Sequence, residues 1–411
     1  MQALDGIKVL DLSRVLAGPW ATQTLGDLGA EVWKIESPQE GDDTRGWTPP
    51  DVAGESTYYL ACNRNKKSVA VNIKTTEGQA IIHRLMASAD IMIENLRAGT
   101  LDKLDLGWEK ARAINPRLIY CSLSAYGRRS PLADRAGYDF LIQAESGLMS
   151  ITGWPDGEPT RHGMAITDLV TGMNTTQAIL AALFARERTS EGQFIDMALF
   201  DSAVALLANI GSSYINVGLK PRRYGNAHPT IVPYQLFDTG DGKLALAVGN
   251  NLQFGNLCRA VLDLPALAED ARFRRNHDRV THRDALIAIL SEAFAKRGTD
   301  DWIALLNEAG VPAGRVRELP EVFASPEAVA RDLAQRVPHP TAGDVALLAS
   351  PLRLEGTPVR EPMAPPLLGQ HTAEVLQAVL GADRRQIRAW AEAGIIGLGR
   401  APAKTAAETT G

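Results

Sequence analysis

The chain has 411 residues, of which 45% are apolar and 22% charged, with a formal net charge of −5. That length supports two domains and a sizeable core, and the composition is that of an ordinary soluble globular protein. Mild acidity offers no broad basic field to nucleic acid or anionic membrane, and the longest apolar stretch, residues 178–185, is too short to cross a bilayer.

The first half alternates short apolar strands with helical patterns. Residues 7–12 predict a strand, residues 20–28 a helix closed by Gly29, and residues 31–36 a second strand. A third strand follows at 68–73, then a helix from about 76 to 88 and a strand at 91–93. A short helix at 108–114 leads to a strand at 118–123. This alternation implies parallel βαβ units, hence an α/β fold with a doubly wound sheet. The turn after the first strand, Ser13-Arg14-Val15-Leu16-Ala17-Gly18-Pro19, is not G-x-G-x-x-G, and no P-loop pattern occurs in the chain. The turn still presents backbone N–H groups at the C-terminal edge of the sheet, where ligands bind in such folds.

At Asp168 a loop runs into a long helical pattern marked by Leu169, Met173, Thr176, Leu180 and Leu183. Asp168 falls where a helix cap belongs, and a carboxylate there is expected to be held ionised by the helix dipole and free N–H groups. An ionised carboxylate is what covalent catalysis by aspartate requires.

Residues 210–233, rich in Gly, Pro, Asn and Ser, read as a connector. Strands at 234–237 and 243–248 flank Gly240-Asp241-Gly242, a hairpin signal. Helical patterns at 253–262, 283–297 and 300–309 complete a smaller α+β block. A strand at 345–348, a Pro-rich stretch at 358–366 and helices at 372–380 and 384–393 follow. The expected division is a large domain from 1–209 and 331–396, a linker at 210–233, a small domain at 234–330 and a disordered tail at 397–411.

Cys62, Cys121 and Cys258 are widely spaced and odd in number, which argues against disulfides and fits a reducing cytoplasm. The N-terminus lacks the features of a secretory signal. The seven histidines are scattered without a ligand pattern, so no metal site is expected.

Several segments, in this order, resemble the family III CoA-transferases, the group that includes formyl-CoA and carnitine CoA-transferases. They include Leu4-Asp5-Gly6-Ile7-Lys8-Val9-Leu10-Asp11-Leu12, Ala17-Gly18-Pro19, Gly29-Ala30-Glu31-Val32-Trp33-Lys34-Ile35-Glu36 and Asn63-Arg64-Asn65-Lys66-Lys67-Ser68. Glu94-Asn95-Leu96-Arg97-Ala98-Gly99, Gly137-Tyr138-Asp139, the Asp168 segment and Pro366-Leu367-Leu368-Gly369-Gln370-His371-Thr372 continue the series. Each tripeptide is weak alone; their sequential order is specific.

The resemblance implies a Rossmann-like large domain, a smaller domain from the middle of the chain, and two chains interlocked as a homodimer. It implies that Asp168 attacks an acyl-CoA thioester to give an acyl-aspartyl anhydride, with coenzyme A as substrate and no tightly bound cofactor. Tyr138 and Asp139 are implied to lie close to the active site. Tyr138 replaces the histidine usual in related racemases, and a tyrosine near pKa ~10 is a poor base. CoA contacts carry over to Val15, Leu16, Ala17, Val71, Lys74, Asn95, Leu96 and Arg97, with Arg64, Lys103 and Tyr126 as additions. The stretch around Asn250 and Asn251, with His228-Pro229-Thr230 before it, is similar to the branch handling succinyl-type dicarboxylic acyl groups. The expected function is therefore CoA transfer from a succinyl-type donor to a carboxylic acid. The alternatives are an α-methylacyl-CoA racemase and a non-catalytic CoA-binding homologue.

Overall fold

The computed structural model describes residues 1–399. Seven strands form the main sheet: β1 (Lys8–Asp11), β2 (Glu31–Glu36), β3 (Lys66–Val71), β4 (Ile91–Glu94), β5 (Ile119–Ser124), β6 (Phe194–Ala198) and β7 (Ile396–Gly397). Their order across the sheet is β7-β3-β2-β1-β4-β5-β6. Every pairing is parallel except that of β7 with β3. The order reverses between β1 and β4, and such a switch point opens a crevice at the carboxyl ends of the strands.

Consecutive residues of a strand point to opposite faces, so a sheet covered on both sides needs continuous apolar runs. Leu10, Trp33 and Val69 face one layer, where they pack with Ile82 and Leu85 of α2 (Thr76–Ser88) and Leu376 of α5 (Thr372–Leu380). Val9, Val32 and Ile93 face the other. There they meet Ala21 and Leu25 of α1 (Ala17–Asp27) and Ile179, Ala182 and Leu183 of α4 (Ile166–Thr189). A shorter helix, α3 (Asp139–Glu145), precedes α4.

The chain divides into two compact units, the first made of residues 1–148, 162–212 and the chain from Glu327 onward. The second unit combines Met149–Arg161 with Ser213–Pro326. Within it, Tyr234–Asp238, Lys243–Ala247 and Ala313–Arg315 form an antiparallel sheet. Phe237, Leu244 and Leu246 bury one face of that sheet against Leu286, Leu290, Phe294 and Trp302.

Four features differ from the sequence expectation. β6 was not anticipated: three of its five residues are only partly buried, which weakens the apolar run. A third of the expected connector is helical, because Ala208–Val217 forms a helix. Residues 149–161, expected in the large domain, group with the second unit. Gly397, expected to begin the tail, instead pairs with Ala70; the rest of that expectation falls, from position 400 on, outside the described residues.

Candidate active site

Two glycines bring a turn and a helix close together. A Cβ on Gly172 would lie 2.7 Å from the Ala17 carbonyl oxygen and 3.1 Å from the Trp20 ring, so only glycine lets α4 approach α1 this closely. A Cβ on Gly18 would sit 2.3 Å from that of Ser13, so the turn before α1 folds back tightly on the helix. The result is a cavity of about 240 Å³ whose wall includes Val15, Leu16 and Ala17 from the turn, and Asp168 from α4. Asn95, Leu96 and Arg97 beyond β4, Ser124 at the end of β5, and Tyr138 complete it. This is the crevice that the strand order predicts.

Asp168 is the third residue of α4, whose N-cap is Ala165 with no side-chain cap bond. The expectation that Asp168 caps this helix is therefore corrected. The capping carboxylate is Asp139, whose Oδ1 accepts from the Thr167 N–H at 2.8 Å and the Thr167 hydroxyl at 2.6 Å. Its Oδ2 accepts from Gln143 Nε2 at 2.7 Å, and Gln143 Oε1 accepts from the N–H of His162 at 2.8 Å. With that position filled by a neighbour, Asp168 is 9% exposed and accepts no hydrogen bond within the described residues. Burial pushes its carboxyl up to about 7, and the charge of Asp139 adds to the push. Ionisation by the helix dipole, the sequence expectation, is outweighed by loss of solvent and a like charge.

Tyr58 was missed by sequence reasoning. Burial raises its phenol first, and the next cause is the charge of Asp168. Its ring packs edge-on against Trp47 with centroids 4.9 Å apart. No sequence signal marks it. Arg14 and Arg135 also line the cavity unanticipated. Arg14 pairs with Asp43 at 3.0 Å and Arg135 with Glu145 at 2.6 Å, whereas Arg97 makes no ion pair among the described residues.

The turn at the cavity wall is strained and clamped. Val15 adopts φ +70°, a conformation that a β-branched residue avoids at a cost of about 1–3 kcal/mol. Its N–H donates to Asp42 Oδ1 at 3.2 Å. Asp42 also accepts from the Thr44 N–H at 3.0 Å and hydroxyl at 2.8 Å, and pairs with Lys34 at 2.8 Å. The Lys34 and Asp42 side chains are both fully buried. Burial alone would raise Asp42, but the Lys34 charge and these hydrogen bonds outweigh it and hold the carboxyl down at about 2. Lys34 further donates to the Ser13 carbonyl at 3.0 Å, and the Asn95 amide brackets Arg14 through its backbone N–H at 2.8 Å and carbonyl at 2.7 Å. Asp11, at the end of β1, accepts from Ser13, Thr22 and the buried Lys66. Burial pulls Lys66 down to about 8, with Asp11 opposing.

A second cavity of about 460 Å³ shares Arg14, Asp43 and Leu96 with the first and extends along the ends of β2 and β3. Val71 and Lys74 line it. Other expected contacts are engaged elsewhere. Arg64 is buried, with Nε and Nη2 on Asp27 at 2.9 and 2.5 Å and Nη1 on the Leu348 carbonyl at 2.9 Å, so each of its three nitrogens is already engaged within the protein. The Tyr126 hydroxyl donates to Glu145 at 2.6 Å, supporting the acid that holds Arg135. Lys103 is exposed in a short helix and lines neither cavity. Asn250 and Asn251 belong to the second unit and have local roles there. Asn250 caps the helix Asn251–Asn256, and Asn251 accepts at 3.0 Å from the buried Arg279. Tyr138 stands 63% exposed and is not a packed core tyrosine.

Among the described residues, no three His, Cys, Asp or Glu side chains gather to hold a metal, and no helix is long and apolar enough to cross a membrane. All three cysteines are buried.

The model of CoA-transferase family III matches residues 4–372. The chain is similar to succinyl-CoA:glutarate CoA-transferase of Homo sapiens, with 46% identity over 96% of this chain and 90% of that protein. It is 44% identical to succinate–glutarate CoA-transferase of Agrobacterium fabrum, over 93% and 96% of the two chains. Among solved structures it is similar to a CAIB/BAIF family protein from Brucella suis, with a TM-score of 0.80 and 45% identity over 92% of this chain and 99% of that one.

Proposed function

The chain belongs to CoA-transferase family III, and we propose that it moves CoA from a succinyl-type acyl-CoA to a carboxylic acid through an anhydride on Asp168. The observation that carries this reading is the buried Asp168 carboxyl, which accepts no hydrogen bond among the described residues, in the wall of a cavity at the switch point of the sheet. Glutarate is the acceptor class suggested by the relatives' names. The reading includes a Rossmann-like large domain and an interlocked homodimer.

Asp168 attacks the thioester carbonyl and CoA leaves as its thiolate, so one C–S bond breaks as one C–O bond forms. The thiolate then attacks the Asp168 carbonyl and releases the donor carboxylate. The acceptor carboxylate displaces the thiolate from Asp168, and the thiolate attacks the new acyl carbonyl, restoring the Asp168 carboxylate. Each step exchanges one activated acyl group for another, so no ATP is consumed. What the protein supplies is position and a desolvated nucleophile. A carboxyl near 7 is a stronger nucleophile when ionised than one near 4, and burial leaves it little solvation to shed.

CoA would run from the first cavity into the second, along Val15–Ala17, Asn95–Arg97, Val71 and Lys74. Arg97, the cavity arginine without an acid partner, suits a phosphate or carboxylate. Tyr138 supports transfer over α-proton exchange, because a phenol is a poor base at neutral pH. Hydroxylamine added to enzyme and succinyl-CoA should trap a hydroxamate at Asp168, read by peptide mass spectrometry. Turnover with Asp168 unlabelled would overturn the mechanism.

A further inference from the structure

The most strained residue beside the proposed nucleophile is held by a buried ion pair, Lys34–Asp42, which lies in the wall of the second cavity and has no role assigned in the reading above. Val15, at φ +70°, is β-branched and lines the same cavity as Asp168. Such a residue relaxes to negative φ unless its surroundings prevent it. Its N–H is fixed by Asp42, and its carbonyl receives the Cys62 thiol at 3.6 Å. Asp42 is in turn fixed by Lys34, whose ammonium also holds the Ser13 carbonyl two residues before Val15. The clamp therefore grips the turn at Ser13 and Val15, and the Asn95 amide grips Arg14 between them.

We propose that the Lys34–Asp42 pair is a positioning device for catalysis: it keeps Val15 in the left-handed conformation that sets the cavity wall facing the acyl group on Asp168. Neither residue is catalytic; both act through the Val15 peptide. A fully buried, solvent-free pair suits this role, because its geometry varies little and salt does not screen it. The role of Val15 explains why a non-glycine residue can stand at a positive φ here. Glycine would reach the conformation without the clamp.

The inference rests on the active-site reading, and the two fail separately: hydroxamate at Asp168 tests the site, whereas the following cycle can fail with that label intact. The test is Asp42→Asn made in the native enzyme and in the Val15→Gly enzyme. In the native enzyme, the substitution should lower kcat at least about tenfold while the KM for acyl-CoA moves less than about threefold, the split expected when wall geometry rather than binding is lost. In the Val15→Gly enzyme the same substitution should lower kcat by no more than about threefold, since a flexible residue no longer needs the clamp. Asp42→Glu keeps the charge opposite Lys34 while displacing the oxygen that meets Val15. It serves where Asp42→Asn does not fold, and it must show the same dependence on background. An equal kcat loss in both backgrounds would mean that the pair merely stabilises the fold and would overturn the proposal. So would an unchanged kcat with a lowered melting temperature.

Discussion

Asp42 and Asp168 are the same residue type, both buried, and the fold drives them in opposite directions. Asp42, with Lys34 and three hydrogen bonds, is held at about 2; Asp168, with no hydrogen bond and a like charge nearby, rises to about 7. Desolvation acts on both. What differs is compensation, and that difference separates a carboxylate used as structure from one left reactive. Partners that quiet a charge also quiet its nucleophilicity, so a nucleophilic carboxylate is kept short of them.

The largest effect should come from Asp168→Asn, which is expected to cut kcat at least about ten-thousandfold. The same change should stabilise the protein at alkaline pH. The folded pKa lies above the unfolded one, so the folded state holds an extra proton between about 4 and 7, and stability falls as pH rises through that window. Above about 7 the penalty is complete. Urea unfolding should therefore show Asp168→Asn more stable by up to about 4 kcal/mol at pH 8, and no more stable at pH 4. A loss of stability at pH 8 would break the contrast with Asp42.

Asp11→Ala should do the opposite. It leaves Lys66 buried without the acid it faces and should destabilise by about 3 kcal/mol, measured by the same melts. Gly172→Ala comes next. A methyl 2.7 Å from the Ala17 carbonyl must push α4 from α1, costing about 1–3 kcal/mol and lowering kcat with it. The smallest effect is the sharpest. Asp139→Asn keeps an oxygen for Thr167 but removes the charge, so the acidic limb of the kcat/KM–pH profile, set by Asp168, should move to lower pH by up to about one unit. An unmoved limb would leave burial as the sole cause of the raised carboxyl.

The strands were legible because they are buried on both sides and read as apolar runs; β2 matches its expected bounds. The turn after β1 was tied to ligand binding by its place at a strand end, and the segments after β3 and β4 by the family resemblance; these residues line the two cavities. For Arg64 and Tyr126 the sequence left one thing out: a cation or a phenol in sequence does not disclose an acid folded against it, here Asp27 and Glu145. Lys34 and Lys66 lie in strands where lysine suggests a solvent face, yet neither side chain is exposed to solvent. The counter-ion of Lys34, Asp42, comes from the loop after its own strand, and that of Lys66, Asp11, from a strand 55 residues away in sequence. The role of Asp139 was hidden similarly, since capping across two helices leaves no local spacing.

The closing of the main sheet by β7 has a consequence for synthesis. β3 takes its outer partner from residues 396–397, and α5 packs over the same edge, so the unit holding Asp168 is built from both ends of the chain. Most of the second unit, by contrast, is one continuous stretch, Ser213–Pro326. On the ribosome that stretch is available to fold while the edge of β3 is still unpaired, with its amide and carbonyl groups open to other chains. The last few described residues thus complete the sheet, and nascent chains released short of them would carry the nucleophile and both glycine contacts yet leave the β3 edge bare.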